Sequence, residues 1–258
     1  VSLVSGVFRL EAGTVYGQNI GTGVMAGVYA GANREVIMTG GTIQVDANSG
    51  TGYGIFAQGK GTINGGTIRV ESSAKAAYAV QAQGANGNVT VADGKFYAAG
   101  KTTVTCVFAS SSASMTVNGG YYNINTNLAT YLGAGRHIFN LPSSELPYQY
   151  KVGTGGYTVT FQNTDGTVLQ SGLWENGTTP EYTGDAPAKP GDTGGEFIHS
   201  SWTPDLAPVT GDATYTATYV PAPPVASVTI SGTTTEYIHF SDAWTAVNGA
   251  TAASTLTL

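Results

Sequence analysis

The chain has 258 residues, with 10 Lys plus Arg against 16 Asp plus Glu, a net charge of −6 and only 10% charged residues. That balance argues against a nucleic-acid partner, whose phosphates need clustered cations. Many Val, Ile, Thr and Tyr favour ordered β-structure over disorder, one cysteine rules out a disulfide framework or a Cys-rich metal centre, and no stretch approaches the ~20 apolar residues of a membrane span.

From the N-terminus, one phrase returns five times: Ala-Gly-Thr-Val at 12–15, Gly-Gly-Thr-Ile at 40–43 and at 65–68, Asp-Gly-Lys-Phe at 93–96, and Gly-Gly-Tyr-Tyr at 119–122. Gly13, Gly41, Gly66, Gly94 and Gly120 stand 28, 25, 28 and 26 residues apart. Such a period marks stacked repeats, each too small to bury its own apolar face. Two positions after these glycines come Val15, Ile43, Ile68, Phe96 and Tyr122. Three positions before them come Leu10, Met38, Ile63, Val91 and Val117, and five before, Phe8, Val36, Gly61, Val89 and Met115. Alternation with period 2 on both sides of a glycine gives two short strands meeting at a corner, one face inward.

A third strand follows in each repeat, as in Gly-Val-Tyr-Ala at 27–30 and Gly-Ile-Phe-Ala at 54–57. Val28, Ile55, Val80 and Val107 are placed inside, because the adjoining column of Tyr29, Phe56, Gln81 and Phe108 contains a glutamine that is costly to bury without a partner. Residues 130–134 read as the last strand of this kind. Three strands per repeat make one rung of a parallel β-helix, with equivalent positions about 4.8 Å apart. The sequence thus predicts a mainly all-β fold with a right-handed parallel β-helix over 1–147, since crossovers between parallel strands are overwhelmingly right-handed.

The period is lost over 148–220. Tyr157–Phe161 reads as a strand, Asn-Thr-Asp-Gly at 163–166 as a turn, and Thr167–Gln170 as the return strand of a hairpin. Gly-Thr-Thr-Pro at 177–180, Phe197, Trp202 and a final strand Ala213–Tyr219 follow. This order resembles the internalin-type B repeat, also called the Listeria–Bacteroides repeat, a small β-grasp-like module of bacterial surface proteins. Ser201 departs from the pattern, standing where the family usually has Gly before Trp. The resemblance implies an extracellular spacer with protein contacts, not catalysis.

Pro-Ala-Pro-Pro at 221–224 opens the last segment, 221–258, as a stiff linker. Residues 226–231 and 235–240 then read as a hairpin across Gly232, Ser241 as the N-cap of a short helix, Gly249 as its C′ residue and 254–258 as another strand. This hairpin–helix–strand order resembles the N-terminal cap of a β-helix in bacterial cell-surface and adhesin-like proteins. The sequence, beginning at Val1 without signal peptide or initiator Met, reads as a processed product or excised segment. Its first rung, with Val4, Phe8 and Leu10, reads as uncapped. Head-to-tail assembly follows as an expectation: Trp244, Val247 and Leu256 cover that rung in another copy, or in an adjacent repeat of the same polypeptide.

Parallel β-helices also include polysaccharide lyases and hydrolases, so a carbohydrate-active or carbohydrate-binding role is the alternative. Such catalysis needs carboxylates, or a base with Arg or Lys, converging on one face. Glu11, Glu35, Asp46, Glu71 and Asp93 read as scattered over different columns, as do Lys60, Arg69, Lys75, Lys95 and Lys101. His137, His199 and His239 lack metal-ligand spacing. Gly21, Gly23, Gly52 and Gly54 are assigned to rung corners, and Cys106 to an inert column with Gly27, Gly54 and Ala79. No catalytic residue, cofactor or metal is expected. Tyr29, Phe56 and Phe108 form an outward column suited to sugars or to a neighbouring protein. The expected function is a structural and adhesive segment of a secreted bacterial surface protein, a unit of an extracellular fibre. Host or matrix glycans or proteins are further candidate partners.

Overall fold

The alternation around each glycine corner folds into stacked turns. The structure, a computed structural model, describes residues 1–3 and 5–258, so Val4 lies outside the described residues. The first turn holds β1 (Ser2–Leu3), β2 (Val7–Leu10) and β3 (Thr14–Asn19). The second holds β4 (Met25–Ala30), β5 (Glu35–Met38) and β6 (Thr42–Ala47). In the next two turns β7 (Gly52–Ala57) leads into β8 (Lys60–Glu71), and β9 (Ala77–Ala82) into β10 (Asn88–Ala99); here one long strand runs through the corner. The last strands are β11 (Val104–Ala109), β12 (Ser114–Val117) and β13 (Gly120–Tyr122). The result is a β-solenoid of about four turns, in a chain that is 50% strand and 7% helix.

Register fixes which side chains share the interior. Val15 pairs with Ile43, Ile43 with Ile68, Ile68 with Phe96 and Phe96 with Tyr122, all in parallel. The last four are at most 1% exposed, whereas Val15 in the first turn is half-buried. Tyr122 stacks on Phe96 at 5.0 Å, and its hydroxyl donates to the Gly119 carbonyl at 2.7 Å, which satisfies the buried polar tip. Val28, Ile55, Val80 and Val107 are fully buried, as their column requires. At the corners Gly41 and Gly66 have φ of +72° and +89°, a conformation that side chains resist. Gly52 and Gly54, in contrast, lie inside β7 rather than at a corner. They are glycines because space is lacking: a Cβ on Gly54 would collide with Ile68 Cγ2 and lie 2.5 Å from the Ala79 carbonyl.

The far end of the solenoid departs from expectation. Residues 130–134 are not a strand; a 3-10 turn, Leu128–Tyr131, is followed by a single bridge from Leu132 to Val117. Fully buried Leu128 plugs the interior there, and the Tyr131 hydroxyl accepts from the Ala109 amide at 3.0 Å. The chain then reverses, so that β14 (His137–Asn140) and β15 (Tyr150–Gly153) form an antiparallel pair, with β15 laid antiparallel on β13.

The chain splits into two compact units: 1–158 with 172–181 and 207–212, and 159–171 with 182–206 and 213–258. Past the solenoid, β16 (Tyr157–Gln162), β17 (Val168–Trp174), β18 (Phe197–Thr203) and β19 (Ala213–Pro221) form a sheet in the order β17-β16-β19-β18. β16 and β19 run parallel and β18 pairs antiparallel to β19. Phe161, Trp202, Tyr182 and Tyr215 pack ring against ring, with Phe161 and Trp202 edge-to-face at 4.8 Å. Buried Asn163 donates to the Ala188 carbonyl and accepts from the Tyr219 hydroxyl at 2.6 Å, so its amide ties the turn to the sheet.

The tail forms β20 (Ala226–Ile230), β21 (Thr233–Tyr237), α1 (Phe240–Gly249) and β22 (Ser254–Thr257), with antiparallel order β21-β20-β22. Ser241 is not the N-cap; the helix starts at Phe240 with His239 before it, without a side-chain cap hydrogen bond. Gly249 is the last helical residue rather than the residue past the end. The second hairpin strand ends at Tyr237, because residues 240 onward are wound into the helix.

Candidate assembly edge and binding faces

The first turn is where apolar side chains meet solvent. β1, β2 and β3 each stand at the edge of their sheet, each paired on one side only. Val1, Val7, Tyr16, Ile20 and Val24 are exposed there, Val7 by 48%. From residue 25 to residue 145 no large apolar side chain is exposed among the described residues. Of the residues expected at this edge, Phe8 is half-buried and Leu10 buried, both packed on the solenoid core. On the tail, Val247 and Leu256 pack against Ala226, Val228 and Ala243 of their own segment. Trp244 remains 50% exposed and stacks on Phe240, itself 47% exposed, at 6.2 Å. The sequence reading did not include Phe240, although its spacing of four from Trp244 puts both on one helix face.

The aromatic column lies on the outer face of β4, β7, β9 and β11, and is larger than expected. Tyr29 and Phe56 stack at 5.7 Å and Tyr53 and Tyr78 at 5.1 Å, while Tyr53 meets Phe56 edge-on at 5.0 Å. Phe108 lies 5.8 Å from Tyr78. Gln81 occupies the gap between Phe56 and Phe108; it is only 6% exposed, and its Nε2 donates to Gln83 Oε1 at 2.8 Å. Tyr29 likewise donates to Gln58 at 2.8 Å. Tyr53 and Tyr78 were not legible from alternation, since each precedes an inward aliphatic by two residues and period 2 puts both on one face; consecutive buried positions at Gly54–Ile55 and Ala79–Val80 break the alternation.

The carboxylates are not all scattered. Asp46 and Glu71 occupy the same column and are register partners on adjacent turns. Both are engaged: Arg69 bridges Glu71, and Tyr16 donates to Asp46 at 2.8 Å with Gln44 3.5 Å away. The hydrogen bond to Asp46 raises the pKa of Tyr16 above the ordinary phenol range. Arg69 also lies 4.0 Å over the ring of Tyr97. Cys106 is buried, with Sγ 3.2 Å from Asn123 Oδ1, and burial pushes its thiol up to about 12. Such a thiol is a poor nucleophile. Among the described residues no group of three or more His, Cys, Asp or Glu is placed to hold a metal ion. Among the described residues, too, no helix is long and apolar enough to cross a membrane.

Comparison with family models, with curated proteins and with solved structures finds no match for this chain.

Proposed function

We propose that this chain is a non-catalytic structural and adhesive segment of a secreted bacterial surface protein, one unit of an extracellular fibre. The observation that carries the reading is the asymmetry of the solenoid's two ends. The far end is closed by Leu128, by the Leu132 bridge and by β15 on β13. The first turn presents three strand edges and a cluster of exposed apolar side chains. An open edge of this kind is a template for further strands. Covering it gains about 25 cal/mol for each Å² of apolar surface removed from water.

The covering element is a hairpin, helix and strand of the kind formed by residues 226–257. It comes from another copy or from an adjacent repeat of the same polypeptide, with Phe240 and Trp244 as its apolar contact. A heterologous contact repeats without closing unless its rotation makes a ring, and so builds a filament. The resemblance of 148–220 to internalin-type B repeats supports a place on a bacterial surface. The carbohydrate-active alternative is weaker, because Asp46 and Glu71, the carboxylates that stand in register, are held by Arg69, Tyr16 and Gln44.

Sedimentation velocity and negative-stain microscopy test this on the intact chain and on a chain ending at residue 224. Growth of the intact chain with concentration, lost in the shortened chain, is the expected result. An intact chain that stays monomeric at every concentration, alongside a shortened chain that is equally soluble and folded, overturns it.

A further inference from the structure

A groove of about 530 Å³ crosses the solenoid on the outer side of β2, β5, β8, β10 and β12. That volume is in the range of ordinary ligand sites. Its floor is one column in register: Val7 beside Glu35, Glu35 beside Lys60, Lys60 beside Asn88, and Asn88 beside Ser114. Four steps of strand spacing make that floor about 19 Å long. The turns ahead of these strands form the wall and contribute Asn33, Arg34 and Asn86. The wall is pinned by the backbone of neighbouring turns: the Lys60 amide donates to the Arg34 carbonyl at 2.8 Å, Asn88 to Gly59 at 3.0 Å and Ser114 to Gly87 at 2.8 Å. The groove is therefore preorganised by the stacking that makes the solenoid.

Its chemistry is specific. Two cations, Arg34 and Lys60, face one carboxylate, Glu35, so the groove is net positive in a chain of net charge −6. Three asparagines and a serine supply neutral donors and acceptors along its length. A peptide entering by strand addition needs an open backbone edge, which this floor meets only at its ends; Glu35, Lys60 and Asn88 project from strands paired on both sides. Two cations are too few to hold a nucleic-acid backbone. What matches is an elongated, hydroxyl-rich ligand that carries carboxylates.

The geometry points to an acidic oligosaccharide bound along the solenoid axis. A sugar carboxylate meets Lys60 and Arg34, while hydroxyls hydrogen-bond to Asn86, Asn88, Ser114 and the Glu35 carboxylate. The groove's first-turn end, at Val7, belongs to the edge invoked for assembly, but Lys60 and Asn88 lie on β8 and β10, away from that edge, and binding there is tested without reference to fibre formation.

Isothermal titration of the full chain at low salt, with hexamers of galacturonic acid and of mannuronic acid, provides the test. The fully methyl-esterified galacturonate hexamer is the neutral comparison. Variants are Lys60→Gln and Asn88→Ala, with Lys101→Gln, on another face, as the control; thermal melts confirm that each is folded. The intact chain is expected to bind at least one acidic hexamer. Lys60→Gln should weaken that binding about tenfold or more, as expected for loss of a charge-assisted hydrogen bond, and esterification of a bound galacturonate hexamer should do the same. Asn88→Ala should weaken it severalfold, and Lys101→Gln should leave it unchanged. The assignment falls if neither acidic hexamer binds, if the neutral hexamer binds as well as the acidic ones, or if Lys60→Gln and Lys101→Gln behave alike.

Discussion

Replacing Ile68 by Ala removes three carbons from the middle of the interior ladder. Ile68 is 1% exposed, with Ile43 on one side and Phe96 on the other, and β7 backbone packs close to it at Gly54. Neighbours on adjacent turns are held in register by main-chain hydrogen bonds, so the cavity collapses little. A loss of about 3 kcal/mol is expected, within the usual span for Ile→Ala in a core, corresponding to a fall of roughly 6–12 °C in Tm for a domain of this size. Val15→Ala, in the same ladder, is the comparison. Val15 is half-buried and has a neighbour on one side only, so about 1 kcal/mol or less is expected. Urea unfolding followed by far-UV circular dichroism, in dilute protein, gives both values from the shift in midpoint at constant slope. Equal losses for the two variants would refute a ladder whose energy is set by neighbours on both sides.

Other consequences follow from single positions. Gly54→Ala places a Cβ against Ile68 and 2.5 Å from the Ala79 carbonyl, so it should cost about 1–3 kcal/mol, whereas Ala79→Gly should cost about 1 kcal/mol or less; urea midpoints separate the two. Cys106 should resist iodoacetamide at mildly alkaline pH in the native chain and react once the chain is unfolded in urea, as read by mass spectrometry. Because burial pushes the Cys106 thiol up to about 12 while an unfolded thiol ionises near about 8.5, the unfolded state loses its proton first. The stability from this group is complete below the lower value and falls by about 1.4 kcal/mol per pH unit above it, until the native thiol itself ionises. Cys106→Ala should flatten that decline between about pH 9 and about pH 10, before the buried Tyr122 phenol, also raised by burial, adds its own slope. An unchanged alkaline slope in Cys106→Ala counts against a buried, protonated thiol.

The solenoid was legible because the glycine corners and the period-2 alternation stay in phase over five repeats, so aligning the glycines aligned the interior. Asp46 and Glu71 were equally legible, both lying five positions after the corner glycine, and only a column-by-column comparison of the acids brings them together. The closed end was not legible. β14 and β15 are four residues each, separated by a proline-containing turn, and their antiparallel pairing breaks the repeat that gave the other strands away. The 3-10 turn at Leu128–Tyr131 fits the same case: Tyr and Leu suit a strand locally, and the need to plug the interior decides the outcome. In the tail, Ser241 suited an N-cap by residue type, yet the cap is His239, two residues earlier, and Phe240 opens the helix, stacked on Trp244. The groove at Lys60 and Asn88 was not legible because its floor takes a single residue from each of five strands, brought together only by the register.

Hydrogen exchange of the first turn tests assembly most directly. Edge-strand amides that face solvent exchange quickly, and a strand laid on them protects them. In the intact chain, protection over 2–19 should rise with protein concentration, while 42–47, paired on both sides, stays unchanged. In the chain ending at residue 224 that rise should vanish. Protection over 2–19 that is the same at every concentration, with or without the tail, contradicts a first turn covered by another copy.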